Sequence, residues 1–152
     1  MHRGRGRATA QLAAAALLAG GSLTIGAGEA AAGAEAARPN FTFEKTAVSS
    51  NGSFNVAVYT NHNYSGKAEW NADPVSGAPG DALRAYDHMA DGWSVEAMLS
   101  YGSRTASTRG HSAPYWSGWK TGNIAEGKTV KVRICMVKGQ YSDCSLFYSG
   151  KA

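Results

Sequence analysis

The chain predicts an all-β domain, an antiparallel β-sandwich of immunoglobulin-like type, preceded by a cleavable signal segment. Three observations carry this expectation. Beyond Pro39, apolar and polar residues alternate with a period of two, as they do in strands that bury one face. No segment sustains a helical period. Turn-forming glycine, asparagine, serine and aspartate separate the alternating runs at spacings that fit roughly seven to eight short strands.

The first element is an export signal over residues 1–36. Arg3, Arg5 and Arg7 provide the basic start, Leu12 to Ile25 the apolar centre, and Ala30 to Ala37 the small residues of a cleavage window. Small-x-small patterns end at Ala32, Ala34 and Ala36, so cleavage is expected within 32–37, after Ala32 or Ala36. The arginines alternate with other residues and are not adjacent, which favours the general Sec route over the twin-arginine route. Glycines Gly20, Gly21, Gly26 and Gly28 dilute the apolar stretch, so no membrane span is expected after processing.

Removing residues 1–36 from the 152 leaves a single domain, 37–152. Its charge surplus is about +3 and forms no basic track, which argues against nucleic acid as a partner. The expected strands, in order, are Phe41 to Phe43, Phe54 to Val58, Lys67 to Trp70, Ala82 to Tyr86, Trp93 to Tyr101, Tyr115 to Trp119, Val130 to Met136 and Cys144 to Tyr148. Between them lie the turn signals Ser50-Asn51-Gly52, Asn63-Tyr64-Ser65-Gly66, Pro74 to Asp81, Ala90-Asp91-Gly92, Thr108-Arg109-Gly110 and Glu126-Gly127.

Export gives the two cysteines their meaning. In an oxidising compartment Cys135 and Cys144 are expected to pair. Gly139-Gln140 suits a two-residue hairpin turn. Counting outward from it pairs Lys138 with Tyr141, Val137 with Ser142, Met136 with Asp143 and Cys135 with Cys144. This register places Cys135 on the face of Lys131 and Arg133, so a near-surface bridge or an intervening bulge is expected.

Chemical motifs are sparse. Asp87, Asp91 and Gly92 share part of a calcium-loop pattern, but Met89 stands where the middle ligand belongs and no closing glutamate follows. Neither metal nor cofactor is expected. Asp87, His88 and Asp91 form a candidate polar loop, in which aspartate side chains bonding nearby amides are the simpler reading. Gly92-Trp93-Ser94-Val95-Glu96 ends in glutamate where a nucleophile elbow needs glycine. His62, His88 and His111 are expected at the surface.

The aromatic residues say more. Tyr115-Trp116-Ser117-Gly118-Trp119 holds three rings in five residues, and Tyr115, Trp116 and Trp119 are the candidate binding surface. On a strand Tyr115 and Trp119 would share one face and Trp116 the other. Trp93 and one of the Trp116/Trp119 pair are expected in the core, with Trp116 the better candidate for exposure.

The run Tyr86-Asp87-His88-Met89-Ala90-Asp91-Gly92-Trp93-Ser94-Val95-Glu96-Ala97, with Ile124 to Cys135 and the closing Cys144-Ser145, resembles small secreted proteins of actinobacteria. Those proteins share an Asp-x-x-Ala-Asp-Gly segment and a Glu-Gly-x-x-Val strand leading to a cysteine, and the similarity spans about residues 65 to 148. The resemblance implies export and a β-rich fold and brings no catalytic residues. Members often carry a second cysteine pair with one cysteine just before the first Asp; here Tyr86 stands there.

The expectation is therefore a secreted, monomeric, non-enzymatic module that binds an extracellular protein or a cell-envelope polysaccharide. One rival is a small hydrolase assembled from Asp87, Asp91, His88 or His111, which requires a cleft gathering at least three of them. Another is an inhibitor or interbacterial effector using an exposed rigid loop from Arg104 to Pro114.

Overall fold

The computed structural model describes residues 38–152. The expected signal segment lies outside the described residues. Among the described residues there are ten strands: β1 (Phe41–Thr46), β2 (Phe54–Thr60), β3 (Asn63–Asn71), β4 (Ala82–Asp87), β5 (Ser94–Leu99), β6 (Arg104–Ser107), β7 (Tyr115–Trp116), β8 (Thr129–Lys138), β9 (Tyr141–Cys144) and β10 (Tyr148–Lys151). They form two five-stranded antiparallel sheets. The first has the order β1-β2-β3-β4-β7; the second has the order β10-β8-β5-β6, with β9 also paired to β8.

The sheets close on one another because their alternating residues point the same way. Phe54, Val56 and Val58 of β2, Ala68 and Trp70 of β3, and Leu83 and Ala85 of β4 meet Val95, Ala97 and Leu99 of β5 and Val130, Val132, Ile134 and Met136 of β8 in one buried cluster. Each large apolar side chain buried this way contributes about 1.5–3 kcal/mol. The Trp70 indole N–H donates to the Lys151 carbonyl at 2.8 Å, which ties the chain's last strand to the core.

Several boundaries differ from the expected ones, each for a local reason. The β2–β3 turn is made by Asn61 and His62, whose φ values of 48° and 69° match the strand twist of a two-residue hairpin. Asn63 to Gly66, expected as that turn, belong instead to β3. Gly66 is needed there for closeness: a Cβ on it would run into the Tyr86 carbonyl oxygen of the neighbouring strand.

Arg104 to Ser107, expected in an exposed loop, is edge strand β6 paired to β5. Its only apolar residue, Ala106, is the one turned inward, so alternation gave little signal. The expected strand from Tyr115 to Trp119 is regular only at Tyr115–Trp116. Beyond it, Ser117 exchanges hydrogen bonds with Ala85 and the chain makes one further bridge at Lys120.

Cys144 to Tyr148, expected as one strand, is divided between β9 and β10. Ser145 marks the break, bonding Ile134 through both its amide and its hydroxyl. The expected hairpin register is present at all four pairs. Cys135 and Cys144 are disulfide-bonded, with Cα atoms 4.0 Å apart. Cys135 lies on the outer face yet is 0 % exposed, flanked in the sheet by Glu96 on one side and Cys144 on the other. No bulge interrupts the pair.

Candidate functional site

The alternation of β4 creates two surfaces at once. Leu83, Ala85 and Asp87 are buried, while Arg84 and Tyr86 alternate with them on the outer side of the first sheet. Register then sets their neighbours: Glu69 opposite Arg84, Lys67 opposite Tyr86, and Trp116 opposite Tyr86 across the β4–β7 pair.

The outer surface carries a continuous row of rings. Tyr59 meets Tyr64 at 5.9 Å between centroids, Tyr64 meets His88 at 5.4 Å, His88 meets Tyr86 at 5.9 Å, and Tyr86 stacks on Trp116 at 4.4 Å. The row crosses β2, β3, β4 and β7. The Tyr86 hydroxyl and His88 Nδ1 lie 3.1 Å apart, in hydrogen-bond contact. Burial, reinforced by Tyr86, Tyr59 and Glu69, pushes the Tyr64 phenol up to about 12, so it stays a neutral hydroxyl.

Cations are interleaved with the rings. The Arg84 guanidinium lies 3.8 Å from the Trp116 ring centre and 4.1 Å from that of Trp119, and Lys67 Nζ lies 5.1 Å from Trp116. Arg84 is held in place by Glu69, to which its Nη2 donates at 3.1 Å, and Lys67 pairs with the same carboxylate at 3.4 Å. All of Trp116's partners come from β3 and β4, to one side of edge strand β7. The residue is 36 % exposed, and its free surface faces solvent.

Of the three expected surface rings, Trp116 and Trp119 are joined through Arg84, while Tyr115 lies flat on His111 with centroids 3.8 Å apart. Trp119 therefore sides with Trp116, not with Tyr115, because the strand ends at Trp116 and strict alternation ends with it. Neither Trp116 nor Trp119 enters the core; the tryptophans there are Trp93, as expected, and Trp70. The sequence reading missed Tyr59, Tyr64, Tyr86, Lys67 and Arg84. Their signal was the outward register of three strands, β2, β3 and β4, treated only as core contributors.

The expected polar loop does not converge. Asp87 is 2 % exposed and points between the sheets, whereas His88 is exposed on the outer face. Asp91 Oδ1 accepts from the Trp93 amide at 2.9 Å, the local turn its position suggested. Among the described residues no three His, Cys, Asp or Glu side chains gather in a metal-binding arrangement.

A second feature lies at the end of the sandwich. A cleft of about 300 Å³ is lined by Asp87, Met89, Trp93, Ser94, His111 and Ser112, among others. It holds two of the four groups that the hydrolase reading named, Asp87 and His111, where that reading requires at least three. Among the described residues no helix is long and apolar enough to cross a membrane. No protein-family model, curated protein or solved structure matches the chain.

Proposed function

We propose that the chain is an exported, non-enzymatic binding module of the secreted actinobacterial kind it resembles, and that its ligand is a cell-envelope polysaccharide laid along the outer face of the first sheet. The single observation that carries this reading is the ring row from Tyr59 to Trp116. A sugar ring presents a flat apolar face that suits an aromatic side chain, and hydroxyls at its rim that suit charged neighbours such as Lys67, Glu69 and Arg84. These rings already rest on one another and on Arg84, so binding costs little side-chain ordering.

The shape of the surface favours a chain-like ligand. Four strands at a spacing of about 4.8 Å make a strip about 14 Å long. A stable protein contact needs about 800 Å² on each partner, a broader patch than one row of rings offers. The cysteine pair is compatible with an oxidising compartment.

The test is depletion from solution by insoluble cell-wall polysaccharide, comparing the native domain with Trp116→Ala and Tyr86→Ala. Each substitution is expected to weaken retention about tenfold, equivalent to about 1.4 kcal/mol. Equal retention of all three proteins, or retention that protease treatment of the cell wall abolishes, would refute the reading.

A further inference from the structure

The end cleft holds a chemical imbalance that the aromatic face does not explain. Asp87 is almost wholly buried, and its Oδ1 accepts no well-formed hydrogen bond. Oδ2 has only the Thr108 hydroxyl, at a long 3.5 Å, and that hydroxyl also lies 3.3 Å from the Val95 carbonyl. No cation pairs with Asp87 among the described residues. The Met89 amide and the Thr108 hydroxyl favour the charged form but leave Oδ1 without a well-formed bond; a buried carboxylate short of donors is costly, and ionised it can only accept. The missing partner is therefore a donor, best a positively charged one.

The cleft's lining narrows the class. Met89 and Trp93 form apolar wall, and an indole face attracts a cation as well as an aliphatic stem. Ser94 and Ser112 supply hydroxyl oxygens for further N–H groups. The local cation, Lys138, forms no pair with Asp87: its Nζ contacts the Asp91 carbonyl at 3.4 Å and lies 5.9 Å from the Trp93 ring centre. The His111 ring is stacked on Tyr115. We propose that this cleft is a second binding site, one that takes a primary ammonium group on a short aliphatic stem against the Asp87 carboxylate.

The site is proton-linked. Burial first, then the charge of Asp91, pushes Asp87 up to about 6, against the opposing pull of the Met89 amide, the Thr108 hydroxyl and His88. His111 and Lys138 are the other titratable groups near the cleft. Above that pH the carboxylate is charged and accepts the ammonium; below it the carboxyl is neutral and affinity falls. One pH unit below the midpoint leaves about a tenth of the sites competent, so the apparent affinity drops about tenfold.

The experiment uses n-butylammonium chloride as probe and backbone amide NMR of the domain as readout. At about pH 7.5 the amides of Gly92, Trp93 and Ser94 are expected to shift saturably, with a dissociation constant of about a millimolar for so small a probe. n-Butanol, of the same shape but uncharged, is expected to leave them unmoved. Asp87→Asn removes the charge, and Ser112→Trp fills the cleft from an exposed position without touching Asp87; both are expected to abolish the shifts. Absence of saturable shifts, equal binding of butanol, or binding retained in either variant would overturn the proposal. No glycan is present in this titration, so its outcome is independent of the reading of the aromatic face.

Discussion

Replacing Asp87 with asparagine should stabilise the domain at neutral pH and leave it unchanged in acid. The Asp87 pKa rises from 3.8 to about 6 in the fold. Between those values the folded chain holds a proton that the unfolded chain has released, so stability falls as pH rises through the window and is flat above it. A shift of roughly two units at about 1.36 kcal/mol each gives about 3 kcal/mol lost across the window. The asparagine side chain would keep the shape without the charge, so about 3 kcal/mol is the upper bound of the gain above pH 6. For a domain of this size that is a rise in Tm on the order of 10 °C. Urea unfolding from about pH 3.5 to 8 is the assay, because contributions common to both proteins cancel in the difference. Native and variant curves that run parallel through the window would show that Asp87 does not carry the burial penalty assigned to it.

Two further outcomes follow from the packing. Reducing the Cys135–Cys144 bridge releases the loop it closes in the unfolded chain, so the urea midpoint should fall by an amount worth about 2–3 kcal/mol; a midpoint indifferent to reductant would contradict the bond's constraining role. Gly66→Ala should cost more than about 3 kcal/mol, because its Cβ meets backbone on β4 and the Val95 side chain. Gly118→Ala, with nothing within 4 Å of the added carbon, should stay within about 0.5 kcal/mol of native; equal effects of the two substitutions would contradict the close β3–β4 approach.

The sandwich was legible because its core strands alternate strictly. In β5 and β8 every second residue is apolar and buried, and the faces read from sequence are the faces observed. Where alternation rests on a single small residue, as in β6 with Ala106, period carries no information. Turn reading failed at Asn61-His62 for the opposite reason: the nearby Gly66 drew the turn to itself, although its small size serves strand packing. The binding face was half legible. Trp116 stood out by its aromatic neighbours in sequence, but Tyr59, Tyr64 and Tyr86 come from three strands and become neighbours only through register, which a sequence does not display. Asp87 was visible as an acid beside a turn; its burial depended on which face of β4 it occupied.

That last dependence ties the two sites together. Shifting β4 by one position would exchange its faces, moving Arg84 and Tyr86 into the core and Asp87 out into water. An acid at Ala85, two positions earlier, would face the middle of the apolar cluster and have no access to solvent. One position later, at His88, a side chain is exposed. Asp87 is the last inward position of the strand, where the sheets end and the cleft begins, so it is the one place on β4 where an acid can be buried and still be reached. The same register that aligns Tyr86 with Trp116 on the outer face places Asp87 opposite Tyr115, whose ring in turn holds His111 at the cleft's edge. Two residues of edge strand β7 thus support both surfaces, one ring on each side of the sheet.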